Sequence, residues 1–276
     1  MVTWLDVKQA MERLGVHEGD SLIVHSSFKS LGEVENGAES VMRGLFAALG
    51  EEGTLIFPTL CQNDWLNVYK NWHLDAPSDV GYLTNYFRKL PGALRSNQAT
   101  HSVAAIGKHA AYITATHGES GLRHGIYGET PFAADSPWEK MYELNTKVLI
   151  IGRDLRPCTM RHLAEYRFMQ EWQDKAKKSP RYQELIDRVW CYERWNERGV
   201  WWHLDSLYIG ELLAAEGKLH KTTCGNAELT VVPSREFVDR AIDCMNKRDR
   251  KAFWEDGNNN WVPQDTLDWL QEVESL

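Results

Sequence analysis

The chain has 276 residues, 43% hydrophobic and 25% charged, enough to bury a sizeable core in one large domain or two small ones. Its formal net charge is −8 and no long Lys/Arg stripe occurs, which argues against a nucleic-acid partner and suits a small cationic ligand. The longest apolar runs, such as Val148 to Ile151, are far too short to cross a bilayer, so no membrane span is expected.

The N-terminus reads as an amphipathic helix capped by Thr3, with neither a basic leader nor a hydrophobic signal core, so the expected compartment is the cytoplasm. A strand follows at Ser21 to His25, then a polar loop, Ser26 to Gly32. Hydroxyls, backbone N–H groups and Lys29 in that loop can cradle a phosphate, although an ordinary βα loop has the same look. A helix from about Ala38 closes at Gly50, and Gly53 to Pro58 reads as a strand. The stretch Thr59 to Ser78, rich in Trp, Asn and Asp, is too long for a plain connector and reads as a substrate loop.

A helix from about Val80 to Leu90 stops at Pro91-Gly92, and Leu94-Arg-Ser96 leads to a strand at Ser102 to Ile106. The polar segment between them, Arg95 to Ser102, offers a phosphate partner in Arg95 and hydrogen-bonding groups in Ser96, His101 and Ser102. Arg95 serves equally as a helix cap, and His101 as an interior histidine. After a short helix from Lys108, a loop with four glycines runs to Thr130-Pro-Phe. Ser136-Pro-Trp-Glu139 has the form of a capping box with proline at the first helical position.

The run Lys147 to Gly152 reads as a buried strand, followed by Cys158-Thr-Met-Arg-His-Leu-Ala-Glu165. With Thr159 as N-cap, His162 falls at the third helical position, where the dipole favours the neutral ring, and Glu165 shares its face at i+3. That is how a general base with a carboxylate support is built, though an isolated H-x-x-E also serves as a surface ion pair. Residues 171 to 200 turn from charged helix-like sequence to two aromatic-rich runs that read as a β-hairpin. A helix from about Ser206 to Glu216, strands near Leu219 to Thr223 and Leu229 to Val232, and two further helices complete the chain.

Several chemistries lack their sequence signatures. No Gly-x-Gly-x-x-Gly, Gly-Lys-Thr, Gly-x-Ser-x-Gly or His-Glu-x-x-His occurs, which disfavours dinucleotide, P-loop, serine-hydrolase and zinc-protease readings. Five scattered cysteines, Cys61, Cys158, Cys191, Cys224 and Cys244, have no C-x-x-C spacing, so reduced thiols are expected and no metal.

Taken in order, the clusters resemble the aminoglycoside 3-N-acetyltransferase family, antibiotic N-acetyltransferases whose fold differs from the common GNAT fold. The matching stretches are Leu22 to Gly32, Gly53 to Thr59, Leu90 to Ser96, Thr100 to Gly107, Thr130-Pro-Phe with Ser136-Pro137, Lys147 to Gly152 and Thr159 to Glu165. The resemblance implies acetyl-CoA as donor and the 3-amino group of an aminoglycoside as acceptor, with direct transfer. By motif position it implies that Ser26, Ser27, Phe28, Lys29, Ser30 and Leu31 meet pantetheine and pyrophosphate. Arg95, Ser96, Ser102, Thr130 and Ser136 would surround the rest of the donor, and His162 and Glu165 would be the catalytic pair. Asp64, Asp79 and Glu129, placed by loop rather than by motif, are expected to hold the cationic acceptor.

Three departures from the family pattern bear on the acceptor pocket. Gln98-Ala99 stands where His-Pro is usual, Ala133 where Gly is usual, and Arg153-Asp-Leu-Arg-Pro157 where the family is commonly glycine-rich. The expected architecture is α/β, a three-layer α/β/α fold with a central mixed sheet. It is one domain over residues 1–276 with a lid-like insertion at about 171–205. The rival functions are acetyl transfer to a non-antibiotic amine and a non-catalytic CoA- or sugar-binding protein. Oligomeric state is left open.

Overall fold

The computed structural model describes residues 1–63, 72–117, 131–181 and 204–252, with short pieces at 255–256, 259–260, 271 and 275. In chain order the first half contains α1 (Trp4–Arg13), β1 (Ser21–Ser26), a 3₁₀ turn (Phe28–Leu31), α2 (Ala38–Leu49), β2 (Thr54–Pro58), α3 (Tyr82–Phe87), β3 (Leu94–Arg95), β4 (Val103–Gly107) and α4 (Ala110–Thr114). The second half contains α5 (Pro137–Glu143), β5 (Lys147–Ile151), α6 (Met160–Ala176), α7 (Ser206–Ala215), β6 (His220–Cys224), β7 (Ala227–Pro233) and α8 (Ser234–Asn246). A two-stranded ladder, β8 (Glu255–Asp256) with β9 (Asn259–Asn260), lies beyond them.

Seven strands form one mixed sheet in the order β3-β4-β2-β1-β5-β7-β6. The centre is parallel, β1 pairing with β2 and β5, and each flank is antiparallel. The central strands are buried along nearly their whole length, which is why they read as continuous apolar runs rather than alternating ones. Their side chains divide between two cores. Leu22, Val24, Leu55, Phe57, Leu149 and Ile151 face α1, α2 and α3, whereas Ile23, Ile56, Val148 and Ile150 face α4 through α8. The three-layer mixed-sheet architecture is therefore as expected.

Local signals held where the side chains had local partners. Thr3 caps α1 through a full capping box with Asp6. Ser136 caps α5 by accepting from the Glu139 N–H at 3.2 Å, but Glu139 does not complete the box. Its carboxylate is drawn away by Arg167 on α6, an ion pair no local pattern reports. The helix expected from Val80 is shorter: Gly81 enters it at φ 139°, and after Phe87 the chain tightens through Lys89-to-Tyr86 and Leu90-to-Phe87 bonds. Leu94-Arg95 forms a short edge strand on β4.

The aromatic hairpin, the glycine-rich loop at 118–130, the middle of the Thr59–Ser78 loop and the last expected helix lie outside the described residues. Of the lid-like insertion, residues 171–176 continue α6 and 182–203 are not described.

Candidate active site

The carboxyl ends of β1, β2 and β5 point the same way, and α6 begins just beyond β5, so these ends and the α6 N-terminus share one rim. Open α/β sheets bind ligands at that position, because successive βα loops diverge there and leave a crevice. The crevice here is a cavity of about 440 Å³ walled by His25, Ser26 and Ser27 from β1, Pro58 and Leu60 beyond β2, His101 before β4, and Cys158, Thr159, Arg161 and His162 at the start of α6.

His162 is the third residue of α6, as its spacing from Thr159 predicts. Its Nδ1–H donates to Glu165 Oε2 at 2.5 Å. Glu165 has no exposed side-chain surface, and its other oxygen accepts from the Leu204 N–H at 2.7 Å. A carboxylate accepts but cannot donate, so the proton of the neutral ring sits on Nδ1 and the lone pair on Nε2. The Arg161 Nε–H approaches that lone pair at 3.4 Å. The side chain of His162 is 18% exposed, enough for Nε2 to meet a ligand. Burial, then the Arg161 charge, holds the ring well below the usual histidine range, so it is neutral at pH 7 and ready to accept a proton. Glu165 accepts the Nδ1–H at rest and compensates the imidazolium once it forms.

The ring is also packed from the side. Phe132 lies 5.5 Å away and His101 6.0 Å away, centroid to centroid. His101 is pinned by Thr100 Oγ1 at 2.8 Å and by Gln62 Nε2 at 3.1 Å, and its carbonyl accepts from Trp138 Nε1. Burial holds His101 well below its ordinary value.

The serine-rich turn behaves as a wall between two cavities. Ser26 and Ser27 line the His162 cavity. Ser30 lines a second one, of about 570 Å³, with Gly152, Lys221, Asn226 and residues of α7. Arg153 lines both. The turn is held against β5 by Ser27 N–H to Ile151 O at 2.9 Å, and Gly152, at φ 62°, has no room for a Cβ because Ser30 occupies that space. Phe28 packs on Tyr82 at 5.1 Å, Lys29 is exposed, and Leu31 is buried in the α1–α2 core.

The second polar cluster is bonded within the protein. Arg95 spends all five N–H groups inside the protein: on Thr59 Oγ1 and Ser102 Oγ, on the carbonyls of Leu74, Ala76 and Thr59, and on Cys61 Sγ. Trp72 covers its face at 4.5 Å. Ser96 bonds His117 Nδ1 at 2.9 Å and the Val103 N–H, Ser102 bonds Thr59, and Ser136 caps α5; all three are fully buried. None of the four lines either cavity. Arg95 and Ser102 hold the ends of the Thr59–Ser78 loop.

Among the acceptor candidates, Asp79 is exposed and its Oδ2 accepts from the Gln62 and Asn63 N–H groups at 2.5 and 2.6 Å. Asp64, Glu129 and Thr130 lie outside the described residues. Sequence reading passed over His25, Gln62, Phe132, Arg153, Arg156 and Arg161 as site residues. For His25, Gln62, Arg153 and Arg156 the available signal was topological: each lies at or within a few residues of the carboxyl end of β1, β2 or β5. Among the described residues no group of three His, Cys, Asp or Glu side chains is arranged to hold a metal, and no helix is long and apolar enough to cross a membrane.

An α/β protein with a histidine–carboxylate pair at the carboxyl ends of its parallel strands is the class that fold and site define. Residues 23–246 match the family model described as aminoglycoside 3-N-acetyltransferase, and the chain belongs to that family of acyltransferases. It is 27% identical over 273 residues to the SPbeta prophage-derived aminoglycoside N(3')-acetyltransferase-like protein YokD of Bacillus subtilis (strain 168), covering 89% of this chain and 93% of that one. It is 32% identical over 182 residues, 60% of each chain, to aminoglycoside N(3)-acetyltransferase III of Salmonella sp. Its fold is shared with the structure described as AAC-IIIb binary with CoASH, at a TM-score of 0.66 and 18% identity over 89% of this chain and 97% of that one.

Proposed function

We propose that this chain transfers the acetyl group of acetyl-CoA to a primary amine, the 3-amino group of an aminoglycoside, with His162 as general base and Glu165 as its support. The observation that carries the reading is the His162–Glu165–Leu204 arrangement, which makes Nε2 the acceptor of a residue lining a cavity large enough for two reacting groups, where an amine would displace the long 3.4 Å approach of the Arg161 Nε–H. In the step it supports, the amine nitrogen attacks the thioester carbonyl carbon while Nε2 takes the departing N–H proton. The C–S bond then breaks, and the thiolate leaves with the proton His162 holds. General-base catalysis of this kind contributes about 10²–10⁴ in rate.

Donor binding is supported by the turn at 26–31 and by Arg153, which lies along both cavities and suits an extended anionic molecule. A donor made inside cells puts the protein in the cytoplasm on this reading. The test is thiol release with acetyl-CoA against a panel of aminoglycosides and other amines, with product NMR for the site of acetylation. His162→Ala should abolish turnover and leave CoA affinity intact. Wild-type protein that binds CoA and acetylates nothing would overturn the reading in favour of a binding protein.

One observation favours the second reading, a different amine. The described wall of the His162 cavity carries three guanidinium groups, Arg153, Arg156 and Arg161, and no carboxylate, which is poor complement to a polycation. Turnover confined to non-aminoglycoside amines in the same panel would decide for it.

A further inference from the structure

We propose that His25 is a further catalytic residue: a neutral imidazole whose N–H donates to the acyl carbonyl oxygen and stabilises the oxyanion formed when the amine attacks. The inference rests on the acetyl-transfer reading, but not on which amine is the acceptor.

His25 is the fifth residue of β1, on the same sheet face as Ile23, whose side chain belongs to the core shared with α6. It is 6% exposed and lines the cavity that His162 lines. Neither of its ring nitrogens makes a hydrogen bond, and Nε2 is fully enclosed with no partner. An enclosed nitrogen with no partner would waste an N–H, a cost of about 1–3 kcal/mol, so the proton is better placed on the other nitrogen. The other nitrogen, Nδ1, is not enclosed, and in a residue that lines the cavity it is the atom left to meet a ligand. The tautomer with its proton on Nδ1 makes that atom a donor.

The chemistry separates the two histidines. Burial holds His25 down to about 4, which makes it a poor base and keeps it neutral through the physiological range. A neutral N–H whose bond is not already made is what an oxyanion site requires. Three neighbouring donors already have partners, Ser27 N–H with Ile151 O, Thr159 Oγ1 with Pro157 O, and Gln62 Nε2 with His101. A histidine that only filled space would need no polar atom, and phenylalanine would serve the same volume.

The experiment compares wild type with His25→Phe, His25→Asn and His25→Gln in the full chain, using acetyl-CoA and an amine that wild type acetylates. The Asn side-chain amide stands where Nδ1 stands, and the Gln amide where Nε2 stands. His25→Phe should lower kcat about 10²–10³-fold, with CoA affinity by calorimetry within about threefold of wild type. His25→Asn should recover at least tenfold of that loss, and His25→Gln less. A Phe variant with kcat within threefold of wild type, or Asn no better than Gln, overturns the proposal. If the Phe variant does not fold, the Asn-to-Gln ratio carries the same decision. Wild type that turns over no amine would sink the acetyl-transfer reading instead, so the two failures are distinct.

Discussion

Glu165 has no exposed surface, yet both of its oxygens accept hydrogen bonds, one from His162 and one from the Leu204 N–H. The second bond makes the first directional. In Glu165→Gln, a carbonyl kept toward Leu204 turns the amide NH₂ toward His162 Nδ1, and the opposite flip sets two donors against each other at Leu204. The first arrangement satisfies the buried Leu204 N–H and is the cheaper, and it presses the ring to carry its proton on Nε2, removing the lone pair that would take the proton of the amine. The expected result is a fall in kcat of about 10³–10⁴-fold with unchanged CoA affinity, the size known for a histidine held in the wrong tautomer. Steady-state kinetics with CoA titration check it, and a loss under tenfold would remove Glu165 from the mechanism. A second consequence concerns pH. His162 accepts a proton only while neutral, so kcat/KM falls as pH drops through its value. Because burial holds that value well below the usual histidine range, the acid limb should lie below about pH 6.5. An acid limb at pH 7 or above in the rate profile would contradict it.

At the scale of elements, what distinguishes binding groups from framework is where their hydrogen bonds end. Ser136 is fully buried and its hydroxyl accepts the Glu139 N–H, which makes it the start of α5. The helix is then tied to α6, the carrier of His162, by the Glu139–Arg167 ion pair and by Arg167 stacking on Tyr142 at 3.8 Å. Ser136→Ala should therefore cost about 1–2 kcal/mol of stability, read from the denaturant midpoint, and leave the KM for acetyl-CoA unchanged. A tenfold rise in that KM at unaltered stability would instead make Ser136 a donor contact. Arg95 illustrates the same limit. The Arg-Ser pair reads as an anion site in one dimension, but the carbonyls of Thr59, Leu74 and Ala76 converge on the guanidinium only when the loop folds back over β3.

At the scale of the whole molecule, four histidines among the described residues are held neutral in or beside one core: His25 at about 4, His117 at about 3, and His101 and His162 well below their ordinary range, each chiefly by burial. Above about pH 6.5 these rings are neutral whether the chain is folded or not, and they leave stability unaffected. Below it only the unfolded chain takes up the protons, so the folded state loses ground until the pH reaches the folded values. Each ring contributes up to about 1.4 kcal/mol per pH unit inside that window. The melting temperature should accordingly fall steeply between pH 6.5 and about 4, and a flat melting curve over that range would show that the rings are hydrated in the native state.

The sequence alone determined the period of each element, the caps at Thr3 and Ser136, the layered α/β class and the His162–Glu165 pair, because each depends on residues a few positions apart. A capping hydroxyl or an i, i+3 pair meets its partner whatever the rest of the chain does. The tertiary structure decided everything that joins distant segments. It set the order of the sheet, the Leu204 N–H on Glu165, and the inward use of Arg95. It also brought His25, His101 and Phe132 around His162. Those contacts arise because the carboxyl ends of three parallel strands converge on one crevice, and convergence of chain ends in space leaves no periodicity in the order of residues.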